Sequence, residues 1–306
     1  MKIAILGAGG VGGYFGGRLA AAGDDVTFVA RGPHLDAIRS NGLRIVSPLG
    51  DTTVTPVRAV GSIEEAGNVD MVIVGVKLWD TEAVAATLRP VAERGAAVLS
   101  LQNGVAKDEI LARHIPRQSL VGGVCYIAAV ISEPGVITHS GTMQGIKFGE
   151  YDGKRSARVE ELLASCVRAK IDAEISDDIS RLIWEKFVFL VGLSGTTTSI
   201  RKPVGPIREN PQTREFLLEV MREVVAVGRA RKISLSADYA DNRLAFCDTL
   251  PATMTSSMHH DLERGNRLEL PWLSGYVAEL GKQLGVATPL NRAISDILAL
   301  HVAGQR

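Results

Sequence analysis

The hydrophobic pattern changes its period about half-way along the chain. In the first half, apolar residues come in short runs: Lys2 to Leu6, Asp25 to Ala30, Val69 to Val76 and Ala96 to Leu101. Runs of that length bounded by turn residues fit strands buried on both faces. A glycine-rich turn and a small-residue helix over Tyr14 to Ala22, stopped by Gly23, separate the first two. Strand, helix and strand in so short a span make a βαβ unit, with a parallel pairing and a right-handed crossover. Thr81 to Leu88 has helical character and Pro90 should end it; Val121 to Ile131, Gly135 to His139 and Gly145 to Gly149 are β-like. After a helix at Arg155 to Ala169 and a polar break at Asp177 and Asp178, the spacing turns helical almost throughout. The segments are Ile179 to Leu193, Arg214 to Arg231, Ala237 to Leu250, Ser257 to Arg264, Trp272 to Leu284 and Asn291 to His301. The expectation is a doubly wound α/β sheet domain over residues 1–176 and an all-helical domain over 177–306.

Composition narrows the function classes. At 306 residues the chain is long enough for two domains, and 46% hydrophobic against 22% charged residues is globular rather than disordered. The 34 basic and 34 acidic residues cancel, and they divide 18 to 19 over residues 1–176 and 16 to 15 over residues 177–306. A protein that grips nucleic-acid phosphates carries a basic stripe, so no nucleic-acid partner is expected. Cys125, Cys166 and Cys247 are widely spaced and lack a C-x-x-C, which fits small core residues in a reducing compartment. The apolar run from Phe187 falls short of the ~18 residues of a membrane span, so no membrane partner is expected. The N-terminus superficially resembles a secretory signal, but the seven glycines between Gly7 and Gly17 would make a poor signal helix. A cytoplasmic protein is expected.

The first chemistry lies in G-A-G-G-V-G, which sets Gly7, Gly9 and Gly12 in a G-x-G-x-x-G pattern, with Gly10 and Val11 between. Alone the pattern is weak. Following a strand and opening a helix, it is the Rossmann dinucleotide fingerprint: Gly7 for the tight turn, Gly9 for close approach of a pyrophosphate, Gly12 for helix–strand packing. An NAD enzyme places an acid about 20 residues on, to hold the ribose 2′-hydroxyl. This chain has Arg31 there and no acid immediately beside it. A guanidinium fork suits a 2′-phosphate, so NADP(H) is the expected cofactor. Lys77, just past the strand ending at Val76, is a second cation at the ligand-binding edge of the sheet, as compatible with a surface lysine as with a phosphate contact.

Lys186 stands among Ile179, Leu182, Ile183 and Leu190 at helical spacings, so its ammonium should be partly buried or aimed into a cleft. A snorkelling lysine is the plain alternative. Glu269, between Leu268 and Leu270 ahead of Pro271, could equally be an acid at a helix N-terminus. His259 and His260 are adjacent, so on a helix they point apart and make no metal pair, and no metal site is expected.

Together these positions resemble the ketopantoate reductase (2-dehydropantoate 2-reductase) family from end to end. The resemblance rests on the glycine turn, Arg31, V-K-L-W at Val76 to Trp79, Q-N-G-V at Gln102 to Val105, I-W-E-K at Ile183 to Lys186, and S-S-M-x-x-D at Ser256 to Asp261 followed by Glu269. It implies Lys186 as general acid, Glu269 as its paired acid, Asn103 in the active-site loop touching cofactor and substrate, and Ser257 on the substrate carboxylate. Leu190 and Ser194 stand where the family usually has substrate-binding asparagines, and Pro271 replaces an acid. Such exchanges leave the reaction type and reopen the choice of 2-oxo acid, since sites built to bind a hydroxyl discriminate on that contact. The resemblance thus implies an NADPH-dependent reductase of a small 2-oxo acid, with pantothenate biosynthesis as the family's setting. The rivals are a reductase of a 2-oxo acid lacking the hydroxyl, a 3-hydroxy acid dehydrogenase, and a non-catalytic NADP(H) sensor. A homodimer is compatible with the sequence, which does not fix the assembly.

Overall fold

Successive residues of the first strand, β1 (Lys2–Leu6), go to opposite faces of the sheet, and both faces are buried. Ile3 and Ile5 join one apolar cluster with Tyr14, Phe15, Phe28 and Phe148; Ala4 and Leu6 join another with Val72, Val74, Leu88 and Val98. That double burial is why β1 reads as a continuous apolar run.

The computed structural model describes residues 1–305. After β1 come α1 (Gly10–Ala21), β2 (Asp25–Val29), α2 (Gly32–Asn41), β3 (Leu43–Val46), β4 (Thr52–Val54), β5 (Arg58–Val60), β6 (Met71–Val74), α3 (Thr81–Glu93) and β7 (Ala97–Ser100). Then follow α4 (Ala106–Ala112), β8 (Leu120–Glu133), β9 (Val136–Gly149), α5 (Ala157–Arg168) and β10 (Asp172–Ile175). The strand order is β4-β3-β9-β8-β7-β6-β1-β2-β5, with β10 added on β9. Strands β7, β6, β1, β2 and β5 are mutually parallel, which is the doubly wound Rossmann core. The long antiparallel hairpin β8–β9 extends it.

The chain divides into two compact units: Met1–Asn103 with Lys107–Leu182, and Gly104–Ala106 with Ile183 onward. The second is helical: α6 (Ile179–Ile200, beginning in the first unit), α7 (Val204–Glu209), α8 (Pro211–Ala230), α9 (Tyr239–Asp248), α10 (Ser257–Glu263), α11 (Ser274–Leu284) and α12 (Pro289–Ile297). A Cβ on Gly192 would lie 2.4 Å from Met221 Cγ, and one on Gly228 2.8 Å from the Trp184 ring, so glycine lets α6 and α8 approach closely. The buried Glu223 carboxylate accepts the backbone N–H groups of Leu290 (2.8 Å) and Asn291 (2.9 Å) at the start of α12. An acid suits that end of a helix.

Several boundaries differ from the sequence reading. Helix α1 starts at Gly10, four residues before Tyr14, because tertiary packing overrides glycine's poor propensity. Pro90 lies inside α3 rather than ending it. The β-like stretches Gly135 to His139 and Gly145 to Gly149 are one strand, β9, interrupted where its register on β8 shifts between Ile127 and Ala128. Helix α6 runs on to Ile200 through three threonines, two of which return their hydroxyls to carbonyls one turn back. All three cysteines are buried and free; burial pushes the Cys166 thiol up to about 12 and Cys247 to about 11, so neither is a ready thiolate. Among the described residues, no helix is long and apolar enough to cross a membrane.

Candidate active site

Four neighbouring parallel strands end on the same edge of the sheet, and each end carries one of the predicted cofactor contacts. Gly7 to Gly12 follow β1, Arg31 follows β2, Lys77 follows β6 and Asn103 follows β7. The glycines of the turn differ in what surrounds them. Gly7 has φ +98°, a conformation side chains disfavour, and a Cβ there would lie 2.7 Å from the Val76 nitrogen. At Gly12 a Cβ would lie 2.2 Å from the Gly7 carbonyl oxygen, which is the close helix–strand contact. Gly10 is equally constrained by β8, where the Ala129 carbonyl oxygen would be 2.0 Å away. Around Gly9 the Cβ direction is open, with nothing within 4 Å. The turn therefore has packing reasons for three of its glycines and free space beside the fourth, at the N-cap of α1. Helix N-termini offer unpaired N–H groups and a positive dipole end, so a dinucleotide pyrophosphate fits there.

Arg31 N-caps α2 with its side chain 84% exposed, and its Nη2 donates to Asp80 Oδ2 at 2.7 Å. The acid missing beside Arg31 in sequence thus arrives from the turn after β6. Lys77 is exposed, its ammonium 5.5 Å from the centre of the Trp79 ring. Behind Lys77 and Asn103 lies a buried polar cluster. Gln102 Nε2 donates to the Val76 carbonyl (3.0 Å) and Thr81 Oγ1 (2.7 Å), and Gln102 Oε1 accepts from Ser100 Oγ (3.0 Å). One amide thereby fastens the loop carrying Lys77 to the loop carrying Asn103. Next to it the fully buried Lys107 donates to the Ser100 carbonyl (3.0 Å) and Asp108 (2.8 Å).

In the helical unit, α6 carries Lys186, Leu190 and Ser194. Lys186 is half-buried beside the equally half-covered Leu182, Phe189 and Leu190; the core side of the helix is Ile183, Trp184, Phe187, Val188 and Val191. The lysine is therefore on the half-covered face with Leu182 and Leu190, partly buried as its spacing predicts. Helix α6 is apolar nearly all round, so its period does not single out one face. Ser194 is fully buried and its Oγ finds no partner among the described residues. One turn on, Thr197 Oγ1 lies 3.0 Å from Ser256 Oγ, and the Thr197 carbonyl is 2.8 Å from His259 Nδ1. Ser256 N-caps α10 by accepting the His259 N–H at 3.1 Å. These bonds dock the first turn of α10, where the exposed Ser257 sits, against α6. Glu269 is 7% exposed between the buried Leu268 and Leu270, and its carbonyl accepts the Trp272 N–H at 2.9 Å. Ser274 lies just beyond that turn; a Cβ on Gly195 of α6 would be 3.1 Å from Ser274 Oγ.

The sequence reading assigned no role to Gln102, Thr197, Ser256 or His259. A serine ahead of an amphipathic helix is a readable cap signal for Ser256. Nothing local marks Thr197, and the Q-N-G-V motif that contains Gln102 does not reveal its bonds to Val76 and Thr81, which are distant in the chain.

The profile of the family described as ketopantoate reductase PanE/ApbA matches residues 3–153, and that of its C-terminal region matches residues 178–301. A 2-dehydropantoate 2-reductase of Halobacterium salinarum is 31% identical over 301 residues, 98% of each chain. The crystal structure of a 2-dehydropantoate 2-reductase from Geobacter metallireducens superposes with a TM-score of 0.89 at 32% identity, covering 98% of this chain and 99% of that one. A D-mandelate dehydrogenase crystallised with NADH and anilino(oxo)acetate reaches the same TM-score at 22% identity, over 98% of both chains, a likeness of fold.

Proposed function

Because the chain belongs to the ketopantoate reductase family and is an oxidoreductase of that family, we propose that it reduces the ketone of a small 2-oxo acid to the 2-hydroxy acid with NADPH. The observation that carries this reading is the gathering of the glycine turn, Arg31, Lys77 and Asn103 at one end of four adjacent strands, with open space at Gly9. The nicotinamide, when bound, supplies hydride to the carbonyl carbon. The first-turn N–H groups of α1 hold the pyrophosphate and Arg31 the 2′-phosphate. Lys186 Nζ gives a proton to the carbonyl oxygen as negative charge develops there, acting as acid and as electrostatic stabiliser. Glu269 orients that ammonium, the Ser257 hydroxyl donates a hydrogen bond to the substrate carboxylate, and Asn103 fixes the loop between cofactor and substrate.

Ketopantoate is the family's substrate, and Leu190 and Ser194 favour instead a 2-oxo acid without its terminal hydroxyl. A second reading concerns the cofactor: the Arg31–Asp80 pair brings a carboxylate to the end of β2, where an acid would accept a ribose 2′-hydroxyl and favour NADH. Oxidation of NADPH and of NADH, followed at 340 nm against ketopantoate, 3,3-dimethyl-2-oxobutanoate and other 2-oxo acids, tests both. Turnover with NADPH and one of these acids is the expected result. Binding of either nucleotide without turnover of any 2-oxo acid would favour the sensor reading.

A further inference from the structure

We propose that His34 is a positioning residue for the cofactor: its neutral imidazole holds the Ala8–Gly9 peptide so that the Gly9 N–H is presented to a bound pyrophosphate. The inference rests on the reading that the Gly7 to Gly12 turn binds a dinucleotide. His34 is half-buried in α2, three residues after Arg31, and both its ring nitrogens are engaged. Nδ1 lies 3.0 Å from the Gly135 backbone nitrogen, at the tip of the β8–β9 hairpin, and Nε2 lies 2.8 Å from the Ala8 carbonyl oxygen. A backbone N–H only donates and a carbonyl only accepts, so the neighbours dictate the tautomer: a lone pair on Nδ1 and the proton on Nε2.

The bond to Ala8 falls on a particular peptide. The Ala8 N–H already donates to the Val29 carbonyl at 3.2 Å, which fixes the preceding plane. With its carbonyl drawn to His34, the Ala8–Gly9 plane is fixed too. In a trans peptide the N–H points opposite to the C=O, so the Gly9 N–H turns away from His34. Gly9 is also the residue beside which the structure leaves free space. The other nitrogen of the ring reaches Gly135, whose φ is +80° and whose own carbonyl accepts the Arg44 N–H at 2.9 Å. His34 thus clamps the glycine turn to a hairpin tip that is itself tied to β3.

Substitution separates the two bonds. Glutamine places a donor near the position of Nε2 and keeps the bond to Ala8; asparagine places an acceptor near Nδ1 and keeps only the bond to Gly135. Binding of NADPH, ADP and adenosine 2′-phosphate is measured by titration on each variant, beside thermal melts and saturating-cofactor kcat. His34→Ala should raise the Kd of NADPH and ADP by roughly three- to tenfold, the worth of one neutral hydrogen bond. It should leave adenosine 2′-phosphate, which has no pyrophosphate, unchanged, and kcat nearly so. His34→Gln should recover ADP binding and His34→Asn should not. Equal weakening of ADP and adenosine 2′-phosphate, or recovery by asparagine in place of glutamine, would overturn the proposal, as would wild-type ADP affinity in His34→Ala. Should the alanine variant not fold, the glutamine–asparagine contrast decides alone. A wild-type protein that binds none of the three probes defeats the dinucleotide reading itself, a different failure from any of these.

Discussion

The two sets of candidate residues are made of different materials. The cofactor turn is backbone: glycines, a helix N-terminus and empty space beside Gly9, with side chains entering only at the edges as Arg31 and Lys77. The set on the helical unit is side chain throughout: Lys186, Leu190 and Ser194 from one helix, Ser257 and Glu269 from two later segments. A backbone site tolerates change at its rim and fails when a Cβ intrudes. A side-chain site keeps its fold through most exchanges and loses its chemistry. Mutations that respect this division test it, because they should damage either folding or turnover but seldom both.

The largest effect belongs to Lys186. If it is the general acid, Lys186→Ala lowers kcat by ~10²–10⁴-fold while NADPH binding and the melting temperature stay near wild type. Glu269→Ala also costs activity, and the double variant loses less than the product of the two single losses, because the pair acts as a unit. Steady-state rates, cofactor titration and a thermal melt on the four proteins check this. A folded, NADPH-binding Lys186→Ala protein with near-normal kcat removes the proton-donor role and leaves a lysine that merely half-covers its helix face.

The glycine turn should respond in the opposite sense. Gly12→Ala forces a Cβ to within 2.2 Å of the Gly7 carbonyl oxygen, so it should destabilise the protein by about 1–3 kcal/mol, the usual cost of overpacking, before any question of chemistry arises. Gly9→Ala, pointing into open space, should melt like wild type and bind NADPH more weakly. A Gly9→Ala protein with unchanged NADPH affinity would mean that the open space is not where the pyrophosphate lies.

That contrast also explains what the sequence made legible. The βαβ order and the glycine turn could be read because their logic is local: a strand, three glycines and a helix follow one another within twenty residues. Arg31 could be read as the cation at the end of β2, but Asp80 could not be seen as its partner, since 49 residues separate them and only the β2-β1-β6 order brings them together. Helix α1 was read too short because glycine's propensity argues against a helix that packing against Ile5, Phe28, Ile45 and Ile137 nonetheless favours. In the helical unit the periodicity marks the longer helices but not the short α7 after Pro203, and it marks none of their neighbours. Thr197 and Ser256 are 59 residues apart and carry no mark of their bond, and α6 is apolar on more than one side, so its spacing predicts a partly buried Lys186 but not what faces it.

Arg31 sharpens the comparison at the rim of the backbone site. Arg31→Ala should weaken NADPH by about 1.5–3 kcal/mol, the range for a charged hydrogen bond, and NADH far less. Asp80→Asn removes the carboxylate that holds the guanidinium, so it should shift preference further toward NADPH by relieving repulsion of the 2′-phosphate. Dissociation constants for both cofactors on the three proteins measure this. Equal loss of NADPH and NADH in Arg31→Ala would remove the 2′-phosphate contact, and loss of NADH binding alone in Asp80→Asn would support the ribose reading.

The smallest effect should come from Leu190, where only one neutral contact is at stake. Leu190 is half-buried one turn beyond Lys186 on α6, so the two side chains lie on neighbouring positions of the same helix face. A leucine there covers a substrate's methyl groups and offers nothing to a hydroxyl, while an asparagine could both donate and accept. Leu190→Asn should therefore move the ratio of kcat/KM for ketopantoate over 3,3-dimethyl-2-oxobutanoate toward the hydroxylated acid. One neutral hydrogen bond is worth about 0.5–1.5 kcal/mol, so the shift should be two- to tenfold. The gain should appear in KM rather than kcat, since the contact is made equally in ground and transition states. If wild type already prefers ketopantoate and Leu190→Asn leaves the ratio alone, the hydroxyl is held by another group and Leu190 does not set the substrate.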